Sequence, residues 1–341
     1  MTTGLEGVRA DLVSDGCRLP LRLTPVAPEL ARDPARFTAW YAGNLARIAG
    51  VLDEFGAVLL RDFAIPETAD FQRVIALYPP HAQGYIAGAT PRKAIDGQVY
   101  ESTRMPAPFK IGLHQEKAYM AQSPRLIAFY CKHAAEAGGE TPLCDMRAVT
   151  RRLGPALVDR FRERGVMYLR NLFDAAAPAS AGPAPSPEYH RPWQDAFTTD
   201  DRREVERLCG ERGLRFTWLA DGSITVSHVG PATIRHPRTG EDVWFNQAST
   251  QHVNPRALGG LSYRALSRKY EQRAAFPYEV RFGDGSPMTT GDLDPIYDVL
   301  DDETRAFPWR VGDLLVVDNV LAAHGRMPFK GKRDIQVAMM D

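Results

Sequence analysis

The sequence has few of the features that mark several large classes of protein. It holds four cysteines in 341 residues, at positions 17, 131, 144 and 209, with no C-x-x-C pair. It has no run of about 18 apolar residues of the kind that spans a membrane. These absences argue against a disulfide framework, a cysteine zinc site and a membrane partner. Because 42 Lys and Arg residues balance 42 Asp and Glu residues, the chain also lacks the basic field expected of a nucleic-acid partner.

Further absences narrow the fold and the compartment. No glycine-rich GxGxxG or GxxxxGK[ST] motif is present, and strand signals do not alternate regularly with helix signals, so a parallel nucleotide-binding sheet is not expected. The N-terminal stretch MTTGLEGVRADLVSDG lacks the apolar centre of a signal peptide. We expect the scattered cysteines to be reduced and mostly buried. Together these features predict a cytoplasmic protein.

Hydrophobic periodicity predicts many short strands and a few helices. Helices are expected at 33–55, 68–78, 151–164, 200–212 and 292–306. Strands are expected at 57–63, 125–133, 166–172, 313–319 and 334–340, with hairpins at 215–229 and 232–247. This pattern favours a mainly β, α+β chain: a β-sandwich or jelly roll with peripheral helices. We treat residues 1–341 as a single domain, although the length also allows two.

Two segments show little periodicity. Residues 81–110 are rich in turn formers, and the stretch DAAAPASAGPAPSP within 174–192 is dominated by Ala and Pro. Long loops of this kind in a compact domain are either solvated insertions or functional lids. We therefore regard 81–110 and 174–192 as candidate lid loops over a pocket.

The motif His114-Gln115-Glu116 is the first candidate for chemistry. In a strand, positions 114 and 116 point to the same face, so that an imidazole and a carboxylate can bind one ion. A second histidine would complete the two-His, one-carboxylate face of non-haem Fe(II) oxygenases. Alone, an H-x-E triplet is more often an ordinary polar pair than a metal site.

The second histidine has several candidates, and we favour His324. It follows the apolar strand DLLVVDN, whose polar Asp-Asn ending is unusual for a core strand. For each candidate histidine, the alternative is that it is hydrogen-bonded within the protein and binds no metal. The other candidates are His133, His190, His228, His236 and His252.

Two more residues stand near these motifs. Thr141, in GGETP, offers a hydroxyl at the start of a strand, although the two glycines already explain a turn there. Arg333 opens the last predicted strand, and an arginine fork binds a carboxylate through two hydrogen bonds. Neither residue is informative alone.

Taken together, these motifs resemble the Fe(II)/2-oxoglutarate-dependent oxygenases of the taurine-dioxygenase (TauD/TfdA) superfamily, and within it the SyrP-like branch near clavaminate synthase. The likeness runs from about Glu54 to the C-terminus. It rests on four stretches: YESTRMPAPFKIGLHQEKAYM (100–120), PRLIAFYCKHAAEAGGETPLCDMRAV (124–149), EDVWFNQAST (241–250) and GDLLVVDNVLAAHGRMPFKGKRDIQVAM (312–339).

The resemblance implies a double-stranded β-helix with outer helices, and it implies roles for six residues. His114, Glu116 and His324 would be the iron ligands. Arg333 would bind the distal carboxylate of the cosubstrate 2-oxoglutarate, and Thr141 would hydrogen-bond the same molecule. Arg326 is the alternative to Arg333, because the interval between His324 and Arg333 is shorter than in many relatives. Related halogenases have Gly or Ala in place of the carboxylate, so Glu116 implies O2-dependent hydroxylation.

The resemblance leaves the substrate open. It implies a small polar molecule, most typically an amino acid or amino-acid derivative, free or tethered to a carrier protein, in natural-product biosynthesis. The same centre also supports desaturation, epoxidation or cyclisation, and some relatives act on sulfonates or other small acids. Readings from other classes are a metal-dependent cupin-like hydrolase or isomerase and an inactive binding module. The oligomeric state is not encoded in any recognisable pattern.

Overall fold

The computed structural model of the protein describes residues 3–14, 17–81, 94–96, 98–102, 105–176, 191–270 and 275–341. The strands are β1 Val8–Ser14, β2 Cys17–Pro25, β3 Ala57–Leu60, β4 Ala94–Asp96, β5 Val99–Glu101, β6 Ile111–His114, β7 Leu126–His133, β8 Ala137–Gly138, β9 Leu143–Asp145, β10 Val166–Leu172, β11 Arg215–Trp218, β12 Ile224–Gly230, β13 Thr233–Arg235, β14 Asp242–Trp244, β15 Tyr278–Phe282, β16 Leu314–Asp318, β17 Ala322–Arg326, β18 Phe329–Lys330 and β19 Asp334–Met340. The helices are α1 Pro28–Arg32, α2 Pro34–Gly43, α3 Leu45–Phe55, α4 Thr68–Ile75, α5 Met146–Arg164, α6 Trp193–Phe197, α7 Arg202–Glu211, α8 Ala248–Gln251, α9 Pro255–Leu258, α10 Gly260–Lys269 and α11 Thr290–Glu303.

The largest sheet has the strand order β1-β2-β3-β16-β7-β19-β5-β4. Its central strands β3, β16 and β7 are apolar except at strand ends, where Lys132, His133 and Asp318 lie, because both of their faces are buried. Val58 and Val316, for example, face the hydrophobic cluster formed with α2, α3 and α4. Leu315 and Phe129 face a second cluster on the opposite side of the sheet. Protein packs on both faces of the sheet, and His324, one of the predicted metal ligands, contacts Phe129 on the second side.

Two smaller sheets surround that inner side. A three-stranded sheet in the order β6-β17-β9 carries the H-x-E motif at the end of β6 and His324 on β17. A four-stranded antiparallel sheet in the order β11-β12-β10-β15 forms a separate layer, with α6 and α7 packed on it. The chain therefore combines mixed sheets with helices, as the sequence predicts.

Most predicted elements are present, with changed ends. The strands at 166–172 and 334–340 match β10 and β19, and both predicted hairpins form. The single helix expected at 33–55 is wrong: it is divided into α2 and α3 at Asn44. The Asn44 side chain donates to the Trp40 carbonyl at 2.9 Å, and such local hydrogen bonds compete with the helical pattern.

Three of the four cysteines, Cys131, Cys144 and Cys209, are buried and free, as expected. Burial raises the pKa of Cys131 to about 12 and that of Cys209 to about 11, so that these thiols remain protonated and unreactive at neutral pH. Among the described helices, none combines the length and apolar character that a bilayer crossing requires. Both lid candidates, 81–110 and 174–192, lie in large part outside the described residues, and their role stays a prediction.

Candidate active site

Adjacent antiparallel strands bring the three predicted metal ligands together. His324 on β17 is paired directly with His114 on β6, and the two imidazole centroids are 4.5 Å apart. Glu116 follows β6 by two residues. Its carboxylate Oε2 lies 4.0 Å from His114 Nε2 and 3.9 Å from His324 Nε2.

These separations fit a single metal ion. All the candidate ligand atoms lie within 4.8 Å of one another. Metal bonds to nitrogen and oxygen are about 2.0–2.2 Å long, so two ligand atoms on one ion lie at most about 4.4 Å apart. Two imidazole nitrogens and one carboxylate oxygen are the donor set that non-haem Fe(II) oxygenases use, with the remaining positions left for cosubstrate and O2.

Hydrogen bonding orients the first imidazole for this task. His114 Nδ1 lies 2.9 Å from the Gly112 carbonyl oxygen. A carbonyl can only accept, so Nδ1 carries the proton and Nε2 presents its lone pair toward Glu116 and His324. Glu116 and His324 are 8% and 4% exposed, which keeps most water away from the ligand atoms.

The amide of Asn319 clamps the backbone of Glu116. Its Oδ1 accepts from the Glu116 N–H at 2.6 Å, and its Nδ2 donates to the Glu116 carbonyl at 3.0 Å. The same Nδ2 donates to the Pro124 carbonyl at 2.8 Å. Asn319 lies in the turn between β16 and β17, so this clamp ties the carboxylate ligand to the element that leads to His324.

The structure also brings together a second group of potential metal ligands: Asp53, His236 and Asp318. Their side chains are already engaged in hydrogen bonds and an ion pair within the protein. His236 Nδ1 accepts from the Thr239 N–H at 3.0 Å, so Nε2 carries the proton that it donates to Asp318 at 3.0 Å. Asp53 is paired with Arg238. Both His236 nitrogens are thus engaged, and no lone pair remains for a metal.

Asp318 itself holds the β16–β17 turn in place. Its Oδ1 accepts from the backbone N–H groups of Val320 and Leu321, and its Oδ2 accepts from His236. The side chain is 1% exposed. The polar Asp-Asn pair that closes an apolar strand is therefore part of the support for the metal ligands.

Arg326, which is buried, and Arg333, which is half-buried, form a cationic pair near the same strands. The Phe329 ring contacts both guanidinium groups, at 5.7 Å and 5.1 Å from its centroid. Among the described residues, neither group forms an ion pair with a carboxylate. Burial and repulsion from Arg326 lower the pKa of Arg333 to about 10, which still leaves it charged at neutral pH. An anion bound here would offset the cost of burying two cations.

The two arginines differ in what they already bind. Arg326 donates through Nη1 and Nη2 to the backbone carbonyls of Met105, Pro106 and Phe109, at 2.6–2.8 Å. Arg333 donates through Nε to the Gly139 carbonyl at 2.9 Å and through Nη1 to Ser102 at 3.3 Å. Its Nη2 has no hydrogen-bond partner in the described part of the chain. This difference favours Arg333 over Arg326 as the group that binds a ligand carboxylate.

Thr141 is 1% exposed, and its hydroxyl oxygen accepts from Trp309 Nε1 at 3.2 Å. The hydroxyl proton therefore remains available for donation to a ligand. Two backbone hydrogen bonds attach the segment around Thr141 to β17 and to the residue that follows it. The Gly325 N–H donates to the Pro142 carbonyl, and the Met327 N–H donates to the Glu140 carbonyl.

The other candidate histidines do not join the metal cluster. His133 is exposed, His228 lines a separate cavity and His252 faces Glu279 at 3.8 Å. His190 lies outside the described residues. The sequence did not reveal the supporting roles of Asn319, Asp318 and His236, although the Asp-Asn ending of an apolar strand was a visible signal.

The fold and site define a class: a metal-dependent oxygenase with a two-histidine, one-carboxylate centre. Comparison with known proteins agrees. The model of the family described as "Taurine catabolism dioxygenase TauD, TfdA family" matches residues 21–339, and the chain belongs to this family. It is accordingly a dioxygenase whose cofactor is iron and whose cosubstrate is 2-oxoglutarate.

Two curated relatives cover most of the chain. It is 34% identical over 291 residues to the dapdiamide synthesis protein DdaC of Enterobacter agglomerans, covering 85% of this chain and 84% of that protein. It is 30% identical over 293 residues to a clavaminate synthase-like protein of Arabidopsis thaliana, covering 85% and 82%.

A solved structure shares the fold at lower sequence identity. PvcB of Pseudomonas aeruginosa superimposes with a TM-score of 0.54 at 16% identity, covering 98% of this chain and 92% of PvcB. A second structure of PvcB is described as an Fe, α-ketoglutarate-dependent oxygenase from an isonitrile synthetic pathway. At this level of identity the likeness concerns the fold alone.

Proposed function

We propose that this dioxygenase hydroxylates an unactivated aliphatic C–H bond of a small polar substrate, an amino acid or amino-acid derivative, in natural-product biosynthesis. The observation that carries the proposal is the complete His114, Glu116 and His324 cluster, with its ligand atoms within 4.8 Å of one another. The similarity to DdaC, a protein of dapdiamide synthesis, supports a role in natural-product biosynthesis.

His114, Glu116 and His324 would hold the iron. When bound, iron with 2-oxoglutarate and O2 supplies an oxidant able to attack an aliphatic C–H, with succinate and CO2 as by-products. Glu116 occupies the ligand position that related halogenases leave open, and this favours hydroxylation. The eight-stranded sheet and the three-stranded sheet that carries His114 and His324 would belong to the double-stranded β-helix that the resemblance implies.

The remaining residues would place the cosubstrate. Arg333 would bind its distal carboxylate through Nη2, and Thr141 would donate its hydroxyl proton to the same molecule. Arg326 would act indirectly, because its Nη1 and Nη2 groups already hold the 105–109 backbone beside β17. Segments 81–110 and 174–192 would close over the substrate and exclude water, which limits unproductive turnover.

The test is a substrate screen coupled to product analysis. Protein with Fe(II), 2-oxoglutarate and heavy-isotope O2 is incubated with amino acids and their derivatives, both free and as carrier-protein thioesters. We expect at least one substrate to gain one labelled oxygen atom, with one succinate formed per product. The variants Glu116→Ala and His324→Ala provide matched inactive controls.

Other results would contradict parts of the proposal. Loss of two hydrogens without oxygen gain would indicate desaturation or cyclisation. Addition of oxygen to an alkene would indicate epoxidation. Oxidation of a sulfonate in place of every amino-acid compound would overturn the substrate class. A strict requirement for the thioester would establish the carrier-tethered form over the free one.

A further inference from the structure

A cavity of about 350 Å³ lies on one face of the four-stranded sheet. None of the residues that line it is a metal ligand, Arg333 or Arg326. Tyr168 and Arg170 of β10 and Val226 of β12, the cross-strand partner of Arg170, form the wall that the sheet contributes. Phe197 of α6 also lines the cavity. The turn of residues 119–122, which follows Glu116 along the chain, closes one side.

Three arginines give this cavity a strong positive charge. Arg170, Arg191 and Arg212 line it, and none of them forms an ion pair in the described part of the chain. The one carboxylate in the lining belongs to Glu211, which is paired with Arg207 outside the cavity. Arg212 Nη1 is buried without a hydrogen-bond partner among the described residues. An unpaired buried donor of this kind is costly.

Much of the remaining lining is apolar, although Gln122, Ser227 and His228 also contribute. Leu172, Phe197 and Val226 are each less than 9% exposed, and the Tyr119 ring is contacted by the Arg170 guanidinium at 5.1 Å. The volume falls at the lower end of the range of about 300–1,000 Å³ that is typical of small-molecule sites. The cavity thus combines an apolar body with a few convergent cationic donors.

A larger cavity of about 560 Å³ beside β6 offers a contrast. Its cations are already paired with carboxylates: Arg256 lies 3.2 Å from Asp301 and 2.7 Å from Asp298, and Lys110 lies 4.0 Å from Asp301. That cavity has no comparable excess of unpaired positive charge, so an anion preference is particular to the smaller one.

We propose that the smaller cavity binds an organic anion with an apolar body, its carboxylate or other acidic group facing Arg170, Arg191 and Arg212. A chain of side-chain hydrogen bonds links this site to the metal motif. Arg170 donates to Gln251 Oε1 at 3.3 Å and Gln251 donates to Gln247 Oε1 at 2.7 Å. Gln247 in turn donates to the Gln115 carbonyl at 2.7 Å. The anion could be the acidic end of the enzyme's own substrate or a separate ligand.

Calorimetric titration of the iron-free protein tests the site directly. Benzoate, phenylacetate and hexanoate are each compared with the neutral carboxamide of the same shape. We expect saturable binding of at least one acid, at least about tenfold tighter than its amide, because a hydrogen bond to a charged group contributes that much or more. Equal binding of acid and amide, or no saturable binding of any acid, would overturn the proposal.

Variants locate the binding. The double change Arg191→Gln and Arg212→Gln is expected to weaken acid binding at least about tenfold. Arg203→Gln, on the exposed face of α7 and outside the cavity, is the matched control and is expected to leave it unchanged. Ala196→Trp fills the cavity without removing a charge and is expected to abolish binding. Acid binding that survives both the double variant and Ala196→Trp would overturn the proposal.

Two further experiments distinguish failure of the anion site from failure of the proposed hydroxylation. His324→Ala is expected to retain acid binding in the cavity, because no metal ligand lines it. If no compound supports turnover while cavity binding persists, the proposed hydroxylation fails and the anion site stands. If the bound acid is itself oxidised with equal succinate formation, the anion is the substrate. If it binds without being oxidised, it is a separate ligand.

Discussion

Individual hydrogen bonds fix the orientation of the predicted metal ligands. The Asn319 amide satisfies both backbone groups of Glu116, and the Gly112 carbonyl fixes the proton of His114 on Nδ1. Such outer contacts orient ligands before the metal arrives, and their loss commonly lowers metal affinity by about 10–100-fold. Asn319 is therefore a positioning residue, although it does not touch the metal.

We predict that Asn319→Ala weakens Fe(II) binding by about 10–100-fold, because the Glu116 backbone loses its clamp. Anaerobic calorimetry measures this affinity. Asn254→Ala is the matched control: Asn254 caps α9 and binds Tyr297, so it is expected to lower stability with Fe(II) affinity retained. An Asn319→Ala protein that binds Fe(II) as tightly as the parent would contradict the positioning role.

We predict that Arg333→Gln weakens 2-oxoglutarate binding by about tenfold or more, with Fe(II) binding unchanged, because a half-buried charged donor is lost. Arg326→Gln leaves three backbone carbonyls without their donor, so its larger effect is expected on the free energy of unfolding. Titration of the Fe(II) protein with 2-oxoglutarate and urea unfolding measure the two quantities. If Arg326→Gln weakened 2-oxoglutarate binding and Arg333→Gln mainly lowered the free energy of unfolding, Arg326 would be the residue that binds the carboxylate.

At the scale of elements, the close approach of β6 and β17 places the histidines opposite each other. Gly325, next to His324, lies so near β6 that a Cβ atom would sit 2.6 Å from the Ile111 carbonyl oxygen. Only glycine permits this separation without movement of one strand. The distance between the two strands therefore sets the distance between their ligands.

We predict that Gly325→Ala destabilises the protein by about 1–3 kcal/mol and weakens Fe(II) binding, because β17 must move away from β6. Gly50→Ala is a matched control in α3, where an added Cβ meets nothing within 4 Å. That change is expected to be neutral or to stabilise by about 0.5–1 kcal/mol. Urea unfolding and Fe(II) calorimetry check both variants, and unchanged Fe(II) affinity in Gly325→Ala would refute the spacing argument.

Local patterns in the sequence predict some of these elements and miss others. The apolar runs of β10 and β19 and the H-x-E spacing are local, so they could be identified from sequence. The His236–Asp318 pair joins residues that are far apart in the sequence, so local patterns miss it. The β1–β2 hairpin and the Asn44 hydrogen bond to Trp40 are local features that the apolar periodicity does not reveal. Arg326 illustrates the limit: its type and position matched a cosubstrate anchor, but its actual partners are the carbonyls of 105–109.

At the scale of the whole molecule, the site joins segments from both halves of the chain. β6 and the Thr141 segment precede the four-stranded sheet, while β17, Arg326 and Arg333 follow it. A ligand that binds only the folded chain therefore stabilises contacts across the whole chain. The expected gain is about 2.7 kcal/mol when the free ligand is at 100 times its dissociation constant.

We accordingly predict that Fe(II) and 2-oxoglutarate together raise the thermal unfolding temperature by several degrees under anaerobic conditions. Each should do less alone, since on this proposal the cosubstrate would bind through both the metal and Arg333. Differential scanning calorimetry measures the shift. His324→Ala is expected to abolish the effect of iron, and an undiminished shift in that variant would place the metal elsewhere.

The most direct test of the central claim, one iron ion held by His114, Glu116 and His324 and chelated by 2-oxoglutarate, is an anaerobic absorbance titration. Adding 2-oxoglutarate to the Fe(II) protein should produce a weak visible charge-transfer band. The band should disappear in His114→Ala, Glu116→Ala and His324→Ala. No band in parent protein shown to contain iron, or a band that persists in all three variants, would contradict this assignment of the site.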